Sequence, residues 1–256
     1  MGVDPILAAG AAVLGLILGS FLNVCILRLP HGHSLLTPPS TCPKCGNRIE
    51  WHDNIPVVSW VLLRGRCRAC GNPISLQYPL IEILVGLIWL ASVWAFGISA
   101  RALGGGLLGT ILLGIAVTDA RHYLIPDEFT WGGLVIGLAL SLTNGWQGFL
   151  HAMIGAGVGF GILWLVAVVG KWVFKEEAMG GGDIKMMAMV GSFVGWKGVL
   201  LTIFSGALFG TLVFVPLTLK RKRLVPFGVF LAVGAAVTYV WGLNIIEWYL
   251  HFLKGS

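Results

Sequence analysis

The sequence predicts an all-α integral membrane protein of about eight transmembrane helices, with a small zinc-ribbon-like insert between the first and second. Three observations carry this. Hydrophobic residues make up 57% of the 256, charged ones only 11%, and the mean hydropathy is +0.88, against roughly 25% charged residues in soluble domains. Uncharged runs recur at the length a bilayer demands, about 20 helical residues for a core of about 30 Å. The one long polar stretch holds four of the five cysteines, in two C-x2-C pairs.

The uncharged runs, in order, are Pro5 to Leu27, Ile83 to Ala100, Ala102 to Thr118, Phe129 to Leu150, Ala152 to Gly170, Met186 to Trp196, Gly198 to Leu219 and Leu224 to Ile246. They are continuously apolar, without the period-two alternation of a barrel strand, so helices are expected. The first run is expected to be retained, because Asp4 stands where a signal peptide has a basic segment and no small-x-small cleavage pattern follows. Cys25, without small residues before it, reads as a packed core thiol. Met186 to Trp196 is the weak element: 11 residues cover only about 17 Å as a helix. It must extend back through Gly180, Gly181 and Gly182, and three glycines disfavour a regular helix there. Asp183 is therefore expected at an irregular, partly buried helix start. Merging Asp183 to Leu219 into one helix makes it too long for a bilayer and reverses the topology after it.

Eight spans with the N-terminus outside place all but three of the 17 basic residues in cytoplasmic segments, the exceptions being Arg101, Lys197 and Lys254. The net charge of +6 is then a topological signal. Lys220 to Arg223 reads as a cytoplasmic anchor beside anionic lipid, and no nucleic-acid partner is expected.

The insert, about residues 29–79, divides the chain into a first helix (1–28), the insert, and a bundle (80–256). Cys42-Pro-Lys-Cys45 and Cys67-Arg-Ala-Cys70 are each followed by glycine and lie 21 residues apart. Two such pairs supply four thiolates for a structural zinc ion. The alternative, two disulfides, conflicts with the reducing cytoplasm that the charge rule assigns to this loop. His31, His33 and His52 are further candidate ligands, although four cysteines already complete a tetrahedron.

Most of the eleven carboxylates lie in loops or at span ends. Asp119 ends one apolar run and Asp183 opens another, so both are expected at the cytoplasmic membrane edge, facing each other. Two carboxylates in a low-dielectric cleft share one proton, leaving one as general base toward water and the other as acid toward a carbonyl. The pairing suits an aspartic peptidase, with Gly180 to Gly182 allowing close approach of a substrate backbone. The competing local roles are helix-end carboxylates paired with Arg121 and Lys185. Asp127 reads as a helix cap after Pro126.

These residues resemble the type IV prepilin leader peptidases that also act as N-methyltransferases, and the match covers nearly the whole chain. It comprises Gly19-Ser-Phe-Leu-Asn23 with Arg28-Leu-Pro30, both cysteine pairs, Trp51-His-Asp-Asn-Ile-Pro56, Gly65-Arg-Cys67, Ile74-Ser75, Tyr78-Pro-Leu80 with Glu82, Asp119, Met179-Gly-Gly-Gly-Asp183 with Lys185, and Pro226-Phe-Gly228. The resemblance implies that Asp119 and Asp183 are the catalytic aspartates of a G-x-G-D peptidase in the bacterial inner membrane. The expected substrates are prepilins and pseudopilins, cut after a glycine and then methylated at the new amino terminus from S-adenosylmethionine. The cofactor-binding residues remain unknown. A second function class is a zinc-ribbon transporter or scaffold with Asp119 and Asp183 as an ion or proton site. A midplane site and internal repeats would mark it, and the sequence offers neither.

Overall fold

The structure, a computed structural model, describes residues 4–37, 39–175, 179–218 and 226–254. The basic run Lys220–Arg223 and the loop carboxylates Glu176 and Glu177 lie outside the described residues. The helices are α1 (Pro5–Arg28), α2 (Val58–Leu62), α3 (Gln77–Phe96), α4 (Ala100–His122), α5 (Asp127–Ser141), α6 (Gly145–Phe174), α7 (Gly181–Thr218) and α8 (Phe227–Lys254). Among the described residues no strand forms; the insert has only two isolated bridges, Thr41 with Arg48 and Arg66 with Pro73.

Six helical stretches are long and apolar enough to cross a bilayer. One of them, residues 127–173, is α5 and α6 joined through a 3-10 turn at Leu142–Asn144. Another, within α7, breaks at Gly195, whose φ of 68° and ψ of 176° only glycine adopts readily. The six stretches thus hold eight helical pieces, consistent with the expected count. The uncharged run from Phe129 to Leu150 hides the first break, since a turn at the bilayer surface needs no charge. Gly145 (φ 73°) makes it, and Thr143 bonds back to the Leu140 carbonyl at 2.7 Å. Bundle surfaces are apolar, as lipid contact requires: Leu165, Val168 and Val169 of α6 are all exposed.

Two compact units divide the chain, residues 1–110 and 111–256. In the first, α1 and α3 pack backbone to backbone. A Cβ on Gly15 would lie 2.8 Å from Gly86 Cα, and one on Gly19 would lie 2.7 Å from Glu82 Cα. Cys25 is buried in this core. In the second, α7 packs against α5, α6 and α8, and its closest approach is again through glycine. A Cβ on Gly155 or Gly191 would run into the other's backbone. Lipid tails are as apolar as leucine, so close dispersion contact between small residues, not burial from water, holds these helices together.

Candidate active site and metal centre

Asp119 lies in the last turn of α4 and Asp183 in the first turn of α7, both within the second unit. The two are close enough for the charge of Asp119 to act on Asp183. Asp119 is 7% exposed, and its Oδ2 accepts the Val229 amide at 3.3 Å, at the start of α8. Asp183 is half-buried, its amide bonds the Gly180 carbonyl at 3.2 Å, and its Oδ1 is buried without a hydrogen-bond partner. Neither carboxylate is neutralised by the partners weighed from the sequence. Lys185 instead grips Asp127, at 2.7 and 2.8 Å. Pro126, not Asp127, occupies the N-cap of α5, so Asp127 is a first-turn carboxylate paired with Lys185 rather than the expected cap. Asp119 and Asp183 are therefore two carboxylates at adjoining helix ends, and one Asp183 oxygen is buried without a hydrogen-bond partner.

Ile125, in the turn between α4 and α5, closes the floor of this arrangement. A Cβ on Gly182 would lie 2.9 Å from Ile125 Cβ, and a Cβ on Gly228 would lie 2.9 Å from Ile125 Cδ1 and 2.8 Å from Asp119 Oδ2. Gly182 is thus needed for packing, whereas Gly181 is exposed with open space around it. Nothing in the motif Pro226-Phe-Gly228 or in the helix start at Ile125 reveals these roles along the chain, because a glycine next to an aspartate's backbone donor has no periodic signature. Gly228→Ala should push the Asp119 carboxylate aside, and a shift of about 1 Å in a catalytic group costs on the order of 100-fold. We expect kcat for peptide cleavage to fall by that order while helix content by circular dichroism stays unchanged.

The four cysteines of the insert converge: all four Sγ atoms lie within 4.8 Å of one another, with Cys42 and Cys70 3.9 Å apart. Tetrahedral zinc with Zn–S of about 2.3 Å requires sulfur separations of about 3.8 Å. Both knuckles have the same backbone. The Cys42 and Cys67 amides bond the carbonyls of Asn47 and Asn72 at 2.8 Å, and the Gly46 and Gly71 amides bond Cys42 and Cys67 carbonyls at 2.9 Å. Gly46 and Gly71 take φ of 71° and 70°, which is why glycine follows each pair.

The charge pattern of the sulfurs also fits a cation. The Asn72 backbone amide, then its side chain at 3.3 Å, draw the Cys70 thiol down to about 6. The Asn47 amide pulls Cys45 the same way, but desolvation and the neighbouring sulfurs of Cys70 and Cys42 outweigh it and push Cys45 up to about 11. Four thiolates at this distance need a divalent ion to coexist. His31, which stacks on His33, and His52, beside Asp53, stand outside the cluster. Among the described residues from 29 to 76, only Cys42, Ser59 and Gly65 are buried. With so little core, the cysteine cluster is what the insert folds around.

Fold and site together define a class: a multi-pass helical membrane protein with a paired-carboxylate centre at helix ends and a separate four-cysteine metal-type cluster. Residues 13–96 match the bacterial peptidase A24 N-terminal domain, and residues 107–215 match the type IV leader peptidase family. Three curated relatives are each named prepilin leader peptidase/N-methyltransferase. That of Myxococcus xanthus is 39% identical over 222 residues, covering 87% of this chain and 66% of its own length. That of Xanthomonas campestris is 36% identical over 273 residues, 94% of both chains. That of Neisseria gonorrhoeae is 33% identical over 277 residues, 97% of this chain and 96% of its own. No solved structure matches. The chain belongs to the type IV leader peptidase family and is an enzyme, a membrane peptidase.

Proposed function

We propose that the protein cuts the leader from type IV prepilins and pseudopilins at the cytoplasmic face of the bacterial inner membrane, with Asp119 and Asp183 as its catalytic pair. The observation that supports this is geometric: Gly182, next to Asp183, and Gly228, against Asp119, both pack on Ile125, and one Asp183 oxygen is buried without a partner. The ionised carboxylate takes a proton from water as that water attacks the scissile carbonyl. The protonated one donates to the carbonyl oxygen; the other, now carrying the proton taken from water, passes it to the leaving amine as the tetrahedral diol collapses and returns a hydroxyl proton to the first, so no covalent intermediate forms. Val229 N–H holds the Asp119 oxygen in place, and the open space at Gly181 admits the substrate backbone. A basic leader on the cytoplasmic side, joined to an apolar stem in lipid, presents its scissile bond at the depth of these helix ends.

Residues 29–79 form the cytoplasmic insert, held by structural zinc on Cys42, Cys45, Cys67 and Cys70, and residues 80–256 form the peptidase bundle. The relatives' names support a second activity, methylation of the new amino terminus. S-adenosylmethionine, when bound, supplies the methyl group as a sulfonium. The chain's own fit to that chemistry lies in two buried acceptors, the Glu82 carboxylate and Asn23 Oδ1, which suit an ammonium as methyl acceptor. An ion-transporting or scaffolding role has no such support. The test is incubation of the purified protein with a prepilin in detergent: the mature pilin should appear, cut after a glycine, and an intact prepilin would refute the assignment.

A further inference from the structure

Glu82 and Asn23 belong to neither the carboxylate pair nor the cysteine cluster, yet they are buried between helices of the first unit, 6% and 1% exposed. Glu82 Oε2 accepts the Val57 amide at 2.7 Å, and the Ser20 hydroxyl also meets the carboxylate. No cation pairs with it among the described residues. Val57 delivers that amide from φ 62°, a conformation that a β-branched residue adopts only under restraint. Asn23 donates its Nδ2 to the carbonyls of Gly19 at 3.3 Å and Tyr78 at 3.1 Å, while its Oδ1 is buried with no partner. Tyr78 and Glu82 are one turn apart on α3, and Gly19, against which Glu82 packs, is one turn from Asn23 on α1. The two acceptors therefore share one contact zone. A buried carboxylate without a cation and a buried amide oxygen without a donor are jointly satisfied by a cation that bears N–H groups.

We propose that Asn23 and Glu82 receive the new α-ammonium of the cleaved pilin and prepare it for methylation; this rests on the methyltransferase half of the function above. Glu82 lies five residues into α3, about 7.5 Å along the helix, a depth that suits an amino terminus beginning an apolar stem. Both residues fall in the segment 13–96 and outside 107–215, the part that matches the leader peptidase model. The donor's sulfonium has no N–H to offer Asn23, whereas the pilin's ammonium does, and the donor's own amino group is distinguished by the binding reading below.

The Glu82 carboxylate takes one proton from the ammonium, which leaves a lone pair on nitrogen. The nitrogen bonds to the methyl carbon as the carbon–sulfur bond breaks, and that bond's electron pair stays on sulfur. The product is a methylated ammonium and a neutral thioether, and Glu82 then returns its proton to water.

The test uses the full chain in detergent with three readings: prepilin cleavage, methyl transfer from S-adenosylmethionine to a precut pilin between pH 7 and 9, and equilibrium binding of the donor. Glu82→Gln keeps an oxygen for the Val57 amide. It should cleave within about twofold of the parent and bind the donor normally, while methylating about 100-fold more slowly. Its methylation should partly recover as pH rises past the α-amino pKa of about 8. Asn23→Asp should retain methylation, and Asn23→Leu should lose it. Methylation by Glu82→Gln within twofold of the parent overturns the proposal. So does parallel loss of cleavage, which marks a structural role, or loss of donor binding, which places the donor's own amino group there. A parent protein that cleaves but never methylates refutes the underlying function, and the proposal with it.

Discussion

Asp183→Asn and Asp119→Asn are each expected to lower prepilin cleavage by about 10⁴-fold or more, because in the proposed mechanism each removes one half of a proton-sharing pair that acts as a unit. The amide keeps the shape of the carboxylate and, at Asp119, an oxygen for the Val229 amide. Folding and membrane insertion should therefore be retained, as read by helix content and extraction behaviour. The control is Asp127→Asn. Asp127 is a neighbouring carboxylate, but it is exposed and bound by Lys185. An exposed pair of this kind contributes about 0–1 kcal/mol, so cleavage should stay within about tenfold. Full activity in either Asp119→Asn or Asp183→Asn ends the assignment of the pair, as would a larger loss at Asp127 than at Asp119.

Removal of the metal-type cluster is expected to have the second large effect, on the insert. Cys42→Ser replaces the most buried of the four ligands. Loss of a second-shell partner alone weakens metal holding by about 10–100-fold, so loss of a ligand should exceed that. We expect zinc in the purified protein to drop well below one ion per chain, and residues 29–79 to become sensitive to limited proteolysis. A strong chelator should reproduce both changes in the parent, because apparent binding energies of about 10–16 kcal/mol in small zinc modules are also their folding energies. An unchanged one-to-one zinc ratio in Cys42→Ser would refute the ribbon.

The spans were legible because hydrocarbon imposes a length and a composition that hardly any other environment does. The cysteine cluster was legible because a tetrahedral ion fixes ligand type and local spacing; both knuckles have the turn that their trailing glycines imply. The breaks at Gly145 and Gly195 were harder to place. The first lies inside an uncharged run, and the second falls where the short Met186 to Trp196 run meets the next span. Composition alone cannot distinguish a turn at the bilayer surface from the middle of a helix.

Glu82 shows the same limit from the other side. It stands within a family motif, yet its burial and its bond to Val57 connect positions 25 apart in the chain, which no local periodicity encodes. Asp127 read as a cap because proline precedes it, and the cation 58 residues downstream decided otherwise.

Of the two aspartates, the sequence by itself determined that each sits where an apolar run meets polar chain, since a carboxylate in lipid is costly anywhere else. Only the tertiary structure decided that their two helix ends adjoin, with Ile125 packed against the bare faces of Gly182 and Gly228 and the Val229 amide holding Asp119. That depends on how α4, α7 and α8 pack. The packing of α7 on α8 runs through Gly206 and Gly234, small residues distant in sequence whose dispersion contacts leave no pattern along the chain.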